Sequence, residues 1–454
     1  MNGFSVMGSH VVVVGAARSG MAAATLLAKR GARVTVSDSR VDAVKPSHLC
    51  EFRDAGVSVE LGEHRAETFG AADLIVLSPG VSPKLPVIVR SQEYGVPVIS
   101  EIELAARWLR GRIVAITGTK GKSTTTLLTS QILDAGGYRA IAGGNIGTAL
   151  CNQVEESTPD AIHVVETSSF QLEATNIFRP WIAVFLNLSP DHLDRHESFE
   201  EYAKVKARIF ENQTREDAMV INADDPRVVE IARAGRAKVH RFSVTHLLEE
   251  GVQLDSDSIV YRSNELEETL VPLSAVQLPG LHNLSNVAAA AAVGRLVGVA
   301  SNAMTCAVQK FSGLEHALEY VAERNGVRFI NDSKATNVVS SRAAIECFDQ
   351  NLVVILGGRF KGGLLEDLGE PLRLRDATVV ALGEAQDEIR EALRGSVAVI
   401  GVDTMAAAVT LGQSLLPSGG TVLLSPACAS LDMFRDYAER GQAFKDEVIK
   451  LADR

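Results

Sequence analysis

A glycine–lysine loop that follows a run of apolar residues constrains this chain more than any other feature. Residues 113–117 are mostly apolar and lead directly into Gly118-Thr-Lys-Gly-Lys-Ser-Thr124. Such a loop joins a buried strand to a helix, and its backbone N–H groups surround phosphate oxygens. Lys122 would add positive charge near the β- and γ-phosphates, and the Ser123 hydroxyl would bind Mg²⁺. The loop therefore predicts an α/β fold that uses a nucleoside triphosphate.

The loop is shorter than the usual phosphate-binding pattern. The pattern G-x-x-x-x-G-K-[ST] requires glycine at position 116, where this chain has Ile116, and the nearest upstream glycine is Gly118. The alternative is an ordinary strand-to-helix turn with a surface lysine. Closely spaced glycines and lysines directly after an apolar run favour the phosphate loop over that alternative.

Length and composition restrict the class of protein. A chain of 454 residues exceeds the usual size of one domain, so we expect roughly two to four domains. The formal net charge of −11 disfavours nucleic-acid binding by charge alone. The five cysteines include no C-x-x-C pair, which predicts reduced thiols rather than a disulfide framework or a zinc site.

No targeting or membrane signal stands out in the sequence. The first ten residues lack a basic segment, and the apolar run at 11–14 is too short for a signal peptide. No run reaches the roughly 20 apolar residues that span a bilayer. We therefore expect a cytoplasmic protein without membrane insertion.

The chain divides into three blocks in which strand-like and helix-like segments alternate. This alternation predicts parallel sheets. Strands are expected at 11–14, 33–37, 74–77 and 96–99 in the first block, at 113–117, 162–166, 182–188 and 218–222 in the second, and at 327–330, 352–356, 378–382, 397–400 and 421–424 in the third. Helices are expected at 20–30, 101–108, 199–210 and 281–299, and an antiparallel addition between about 245 and 275.

These blocks predict an α/β chain of three domains, each with a largely parallel sheet. The expected domains are a Rossmann-like N-terminal domain at 1–102, a central phosphate-loop ATPase domain at 103–312, and a Rossmann-like C-terminal domain at 313–454.

The first turn of the chain is open to a second interpretation. Gly15-Ala-Ala-Arg-Ser-Gly20 resembles the dinucleotide fingerprint G-x-G-x-x-G, with Ala17 at the second glycine and Asp38 at the end of the next strand. An NAD-dependent oxidoreductase is therefore an alternative class. A helix N-terminus binds any diphosphate, however, and an oxidoreductase would leave the 118–124 loop unexplained.

Two strand ends in the second block carry candidate metal ligands. Glu166 follows an apolar strand, and a carboxylate there suits Mg²⁺ beside a phosphate loop. The segment 187–196 contains two histidines and two aspartates, which fit hard-ligand Mg²⁺ coordination better than zinc, with a plain capped turn as the alternative. Lys204, Lys206 and Arg208 on the following helix indicate, from the residues alone, an ordinary solvated basic face.

Polar loops also follow strands in the third block. They are residues 331–337, 357–363 and 425–432, which together present threonine, lysine and serine side chains suited to a small carboxylate-bearing molecule. Cys428 has no partner base in the sequence, so a buried cysteine is favoured over a nucleophile. Asn283 and Asn286, one turn apart, would either cap the Ala-rich helix or contact a ligand.

Six motifs resemble those of one family. GTKGKST, ETSSFQ, NLSPDHLD, PGLHNLSN, NDSKATN and SPACASLD occur in this order across the three blocks. The set resembles the Mur ligases, a family of ATP-dependent enzymes that form amide bonds. NDSKATN and SPACASLD are similar to the motifs of the members of this family that add D-glutamate. The resemblance implies UDP-N-acetylmuramoyl-L-alanine and D-glutamate as substrates, ATP and Mg²⁺ as cofactors, and a monomeric enzyme of peptidoglycan synthesis.

The resemblance assigns a role to each matching residue. The catalytic residues it implies are Lys122, Glu166, His192 and Lys206. The metal ligands are Ser123, Glu166, His192 and Lys206, the last in carbamylated form. ATP would contact Gly118, Thr119, Lys120, Gly121, Lys122, Ser123, Thr124, Asn283, Asn286, His316 and Asp332. The UDP substrate would contact Arg18, Ser19, Asp38, Ser39, Arg40, Ser78, Gly80 and Asn145, and D-glutamate would contact Thr336, Lys361 and Ser430. Ser168 and Tyr437 are further substrate-binding candidates.

One position departs from the family pattern. The family usually has His-Arg where this chain has His316-Ala317, and the arginine would help to hold ATP phosphates. Arg359, in a glycine-rich loop, is a candidate to compensate. The departure keeps a non-catalytic nucleotide-binding relative as an alternative, and a ligase that adds glutamate to folate is another, which the UDP-site residues and NDSKATN disfavour.

Overall fold

Three sheets organise the chain, as the sequence predicts. The computed structural model describes residues 4–44, 46–191 and 195–451. These residues form two compact units. The first unit runs up to Ala275 and includes Ser285–Val308, and the second comprises Val276–Leu284 and the chain from Gln309 onward. No helix within the described ranges is long and apolar enough to cross a membrane.

The first sheet is fully parallel, with strand order β3-β2-β1-β4-β5. Its strands are β1 His10–Val14, β2 Arg33–Asp38, β3 Ser58–Leu61, β4 Leu74–Leu77 and β5 Val98–Ser100. Its helices are α1 Arg18–Lys29, α2 Pro46–Asp54, α3 Ala66–Gly70, α4 Pro86–Glu93 and α5 Glu101–Ala106. The central strands are buried on both faces, which is why they consist of continuous apolar runs.

The second sheet has nine strands in the order β14-β13-β12-β11-β10-β9-β6-β8-β7. Its strands are β6 Arg112–Thr117, β7 Arg139–Gly144, β8 Ala161–Glu166, β9 Ile182–Phe185, β10 Ala218–Asn222, β11 Lys238–Ser243, β12 Gly251–Asp255, β13 Ser258–Arg262 and β14 Glu267–Pro272. The last three strands pair antiparallel, which confirms the predicted addition. The helices from this part of the chain are α6 Lys122–Ala135, α7 Ser169–Glu173, α8 Phe199–Ala207, α9 Pro226–Ala232, α10 Leu281–Val297 and α11 Ser301–Lys310.

The third sheet has the strand order β15-β16-β20-β17-β18-β19. Its strands are β15 Glu319–Arg324, β16 Val327–Asn331, β17 Leu352–Gly357, β18 Thr378–Leu382, β19 Ala398–Val402 and β20 Gly420–Leu424. Only β15 is antiparallel to its neighbour among these pairs. The helices are α12 Val338–Ile345, α13 Gly369–Leu374, α14 Gln386–Ala392, α15 Met405–Ser414 and α16 Tyr437–Lys450. The three-domain α/β class is therefore confirmed, while the domain limits at 102 and 312 stay predictions.

A buried carboxylate ties α5 to the segment that follows α7. The Glu103 carboxylate accepts hydrogen bonds from the backbone N–H groups of Asn176, Ile177 and Phe178 at 2.8–3.0 Å. Arg107 pairs with the same carboxylate at 2.8 Å. Because Glu103 is fully buried, removing its carboxylate would leave three N–H groups and one cation without their acceptor.

We predict that Glu103→Ala lowers the free energy of unfolding of the first unit by about 3 kcal/mol. Tryptophan fluorescence during urea unfolding measures this change, because Trp108 and Trp181 are the only tryptophans and both belong to the first unit. Glu93→Ala, at the exposed end of α4, is the control and should leave the transition in place. A transition of Glu103→Ala that coincides with that of the unaltered protein would contradict the prediction.

Candidate active site

The phosphate loop connects β6 to α6 through two glycines with left-handed backbone conformations. Gly118 has φ +150° and Gly121 has φ +81°, where a side chain would be strained. Gly121 is also the N-cap of α6, and a β-carbon there would lie 2.2 Å from Oδ1 of Asn286. The backbone therefore needs glycine at position 121, and the short spacing forms a defined loop.

The Glu166 carboxylate lies beside this loop at the end of β8. Its Oε2 accepts a 2.6 Å hydrogen bond from the Ser123 hydroxyl, and its Oε1 accepts a 2.7 Å bond from the Asn145 amide. A hydroxyl and a carboxylate at this separation are the hard oxygen donors that Mg²⁺ prefers. The predicted ligands Ser123 and Glu166 are thus brought together, and these residues fit the implied metal.

Lys206 is buried, so the expectation of a solvated basic helix face is wrong for this residue. Its side chain is 1% exposed, and Nζ donates to the Gly118 carbonyl at 2.7 Å. The amine also lies 5.0 Å from the centre of the Tyr202 ring. Burial and the neighbouring Lys122 hold the pKa of Lys206 well below its usual value. Lys204, on the same helix, is exposed as expected.

The structure describes only part of the segment 187–196, which is predicted to bind a metal ion. His192 and Asp194 lie outside the described residues, so their predicted roles are not addressed by this structure. His196 is buried, approaches Ser169 at 3.0 Å and stacks on Phe170, which indicates a packing role. Within the described part of the chain, no group of three or more His, Cys, Asp or Glu side chains is arranged to hold a metal ion.

Most of the predicted UDP contacts line one cavity of about 580 Å³ in the first unit. The predicted residues in its lining are Arg18, Ser19, Asp38, Ser39, Arg40, Ser78, Gly80 and Asn145. The guanidinium of Arg18 donates to the Asn145 carbonyl at 2.9 Å, which connects this cavity with the residue that holds Glu166. Ser168 instead caps α7 through Gln171, so its substrate contact stays a prediction.

Asp38 and Ser78 also stabilise the turn that forms one wall of the cavity. Asp38 accepts from the backbone N–H of Ala16 at 2.8 Å, and the Ser78 hydroxyl donates to the Gly15 carbonyl at 2.8 Å. Burial opposes ionisation of Asp38, but its hydrogen bonds with Ala16 and Arg40 outweigh burial and lower its pKa. Asp38 therefore remains an acceptor at neutral pH.

In the second unit, Arg440 joins the three loops that follow β16, β17 and β20. This buried guanidinium donates to the Ser333 hydroxyl at 3.0 Å and to the carbonyls of Ser333, Gly357 and Cys428 at 2.9–3.2 Å. Burial lowers the pKa of Arg440 to about 10. The three predicted ligand loops are thus fixed together by a residue that no sequence motif indicates.

The predicted side chains of this unit differ in exposure. Ser430 is buried, Thr336 is half-buried, Lys361 is exposed, and Tyr437 is 40% exposed. Burial raises the pKa of the Cys428 thiol to about 12, which agrees with an inert buried cysteine. These residues supply two aliphatic hydroxyls, an ammonium group and a tyrosine ring on or next to the loops that Arg440 holds.

His316 and Asp332, two residues predicted to contact ATP, are buried in the second unit. Burial raises the pKa of Asp332 to about 7, although Ser425 donates a hydrogen bond to its carboxylate at 2.9 Å. His316 has φ +64° and lies 2.9 Å from the Asn331 amide. Arg359, the candidate to compensate for Ala317, forms a two-point ion pair with Glu384 at 3.0 Å, so its compensating role stays a prediction.

The two asparagines of α10 differ in their contacts. The Asn283 amide donates to the Pro279 carbonyl at 2.7 Å, as a residue at the start of a helix does. Asn286 accepts from the Thr125 hydroxyl at 3.3 Å, against the helix that begins at the phosphate loop. Asn286 thus lies at the phosphate loop, and the nucleotide contacts of both residues stay predictions.

Asn187 fixes the first half of the phosphate loop, a role that its motif does not predict. Its Oδ1 accepts from the backbone N–H groups of Thr119 at 3.1 Å and Lys120 at 2.8 Å, and its amide donates to the Lys120 carbonyl at 3.1 Å. Two N–H groups of the loop are therefore committed to Asn187. The strand predicted at 182–188 ends at Phe185, so Asn187 lies just beyond the end of β9. This position after a strand is the signal for its role that the sequence contains.

We predict that Asn187→Ala weakens binding of Mg²⁺ with the β,γ-imido analogue of ATP about tenfold, because the loop loses its preorganised conformation. Calorimetric titration measures the dissociation constant. The matched control is Asn212→Ala, since the Asn212 amide bridges the carbonyls of Asn176 and Phe178 rather than the loop. Equal affinities for Asn187→Ala and Asn212→Ala would contradict the assigned role.

Comparisons with known proteins match three parts of the chain to one family. Residues 9–100 match the MurD-like N-terminal domain of Mur ligases, 116–294 the Mur ligase middle domain, and 318–428 the Mur ligase glutamate ligase domain. The fold is similar to UDP-N-acetylmuramate-alanine ligase MurC from Thermotoga maritima, with a TM-score of 0.57 at 19% identity over 98% of this chain and 100% of that one. At that identity the likeness shows the fold alone.

Closer relatives are similar along nearly the whole sequence. The UDP-N-acetylmuramoylalanine–D-glutamate ligase of Acidobacterium capsulatum is 44% identical over 97% of this chain and 96% of that protein. The protein of the same name from Pelobacter propionicus is 46% identical over 96% of this chain and 97% of that protein. With three matching domains, a phosphate loop beside Glu166 and this similarity, the chain belongs to the Mur ligase family.

Proposed function

We propose that this chain is an ATP-dependent ligase that adds D-glutamate to UDP-N-acetylmuramoyl-L-alanine in peptidoglycan synthesis. The observation that carries the proposal is identity of 44–46% with two ligases of that name over nearly the whole chain. The cavity of the first unit supports it, because eight predicted UDP-substrate residues line one space. We also propose that the protein is a monomer and that it is located in the cytoplasm, as the sequence predicts.

The chemistry begins with activation of a carboxylate. Hydroxide is a poor leaving group, so the alanine carboxylate of the UDP substrate attacks the γ-phosphate of ATP and becomes an acyl phosphate, with ADP released. Lys122 and the N–H groups of the phosphate loop neutralise the charge that two anions bring together. Ser123 and Glu166 would hold Mg²⁺, which screens the same charge.

D-Glutamate then displaces the phosphate. Its neutral amine attacks the acyl carbon, a C–N bond forms, the C–O bond to phosphate breaks, and the amine loses a proton to a base. In the proposal, Thr336, Lys361 and Ser430 bind the carboxylates of D-glutamate. The contacts of Arg440 support this assignment, because they hold the three loops that carry these side chains.

Lys206 suits conversion to a carbamate. Its lowered pKa leaves a larger fraction of the amine neutral at pH 7, and only the neutral amine has a lone pair to attack CO₂. Starting from the neutral amine, the reaction forms a C–N bond and releases one proton, so that a buried amine becomes a carboxylate-like anion. That group would join Ser123 and Glu166 as an oxygen ligand of Mg²⁺.

We predict one carbamate signal in the ¹³C spectrum of the protein in ¹³C-bicarbonate. Lys206→Arg should abolish the signal, since guanidinium does not form the carbamate. Lys204→Arg, two residues away on the exposed face of α8, should retain it. A signal that survives in Lys206→Arg would place the modification at another residue.

Phosphate release from a substrate panel tests the proposed activity. We expect ADP and phosphate in equal amounts only when ATP, Mg²⁺, UDP-N-acetylmuramoyl-L-alanine and D-glutamate are all present. Lys122→Ala should lower kcat by roughly 100-fold or more, because the γ-phosphate loses its cation, whereas Lys204→Ala should retain activity.

The other outcomes identify the alternative classes. ATP-independent oxidation of NADH would support an oxidoreductase, and turnover with folate and glutamate a folate ligase. ATP binding without hydrolysis in the complete mixture would support a non-catalytic relative. Any of these results would overturn the proposed activity.

A further inference from the structure

Arg195 directly follows the NLSPDHLD motif, yet the proposed chemistry leaves it without a role. Its guanidinium donates to the Val81 carbonyl at 2.8 Å and pairs with Glu173 at 3.2 Å. It also lies over the Phe170 ring, 5.0 Å from the ring centre. The Arg195 side chain is only 18% exposed. An arginine held on three sides is ordered before any ligand binds.

Val81 belongs to the rim of the UDP cavity. Residues 78–81 line that cavity, and the rim segment, defined here as residues 78–85, continues to Lys84. Nζ of Lys84 pairs with Glu197 at 2.6 Å and with Glu201 at 3.0 Å. The rim segment is therefore joined to residues 195–201 twice, once through Arg195 and once through Lys84.

Helix α8, which begins at Phe199, contacts the phosphate loop. Two side chains of α8 contact the start of that loop: the Tyr202 hydroxyl lies 3.2 Å from the Thr119 hydroxyl, and Nζ of Lys206 donates to the Gly118 carbonyl at 2.7 Å. All these residues belong to the first unit. A continuous series of contacts thus runs from the UDP cavity through α8 to the phosphate loop.

We propose that Arg195, assisted by Lys84, is a positioning residue that couples occupancy of the UDP cavity to binding of the nucleoside triphosphate. The inference rests on the proposed function for the identity of the two ligands. A ligand that moves the rim segment must either break the bond between Val81 and Arg195 or carry residues 195–201 with it. Movement of α8 would change the loop conformation that receives the triphosphate.

The two cations contribute unequally. Lys84 is 48% exposed and its ion pairs are at the surface, where such pairs are weak. Arg195 is largely desolvated and bonds to a backbone carbonyl, whose position follows the rim segment directly. We therefore assign most of the coupling to Arg195.

Binding measurements test this coupling without turnover. Calorimetry gives the dissociation constant of UDP-N-acetylmuramoyl-L-alanine with and without saturating Mg²⁺ and the β,γ-imido analogue of ATP. The ratio of the two constants measures the coupling, and the reciprocal titration must give the same ratio. For the unaltered protein we expect a ratio that differs from one by fivefold or more.

Arg195→Met removes both the bond to Val81 and the ion pair with Glu173, and it keeps an apolar side chain over Phe170. We expect it to bring the ratio at least twofold closer to one, and Lys84→Met to have a smaller effect in the same direction. The matched control is Arg30→Met, because the 2.7 Å pair between Arg30 and Glu155 also joins distant parts of the first unit, and neither residue lines the UDP cavity. Arg30→Met should leave the ratio unchanged.

Three results would overturn the inference. The first is a ratio near one in the unaltered protein. The second is an Arg195→Met variant whose ratio stays within twofold of that of the unaltered protein, even if both affinities fall, since that loss would reflect stability alone. The third is an equal change in Arg30→Met. Failure of the unaltered protein to bind the UDP substrate at all would overturn the proposed function, and this inference with it.

Discussion

The conformation of the phosphate loop depends on hydrogen bonds that reach it from outside. Its first residues are held by Asn187, Tyr202 and Lys206, while Gly121 begins α6. The backbone N–H groups of Thr119 and Lys120 have an acceptor in Asn187. The start of α6 presents further N–H groups, and the helix dipole there favours an anion. Neighbouring elements therefore supply part of the support of this short loop.

Continuous apolar runs explain why the central strands were predictable. The runs at β1, β6 and β17 are buried on both faces and contain few polar residues. The edge strands β7 and β15 were missed because they are partly exposed and carry polar or small residues. Edge strands have one solvated side, so their sequences resemble loops.

The residues of the candidate site that belong to a sequence motif could be predicted. The residues that act through contacts between distant parts of the chain could not. The lining of the UDP cavity followed from the family resemblance, whereas Asn187 and Arg440 act through contacts that no local pattern reveals. For Lys206 a local signal existed. Residues two apart lie on opposite sides of a helix, so Lys204 and Lys206 could not form one solvated face.

The approach of Asn286 to Gly121 limits how this enzyme can change. A β-carbon at position 121 would collide with the Asn286 amide, and the left-handed backbone there excludes most residues even if that amide were smaller. A replacement of Gly121 would therefore strain the loop and displace the Asn286 side chain at the same time. A smaller residue at position 286 would not touch Gly121, so the restriction runs in one direction. Glycine at position 121 is what allows a side chain of helix α10 to lie directly against the nucleotide loop.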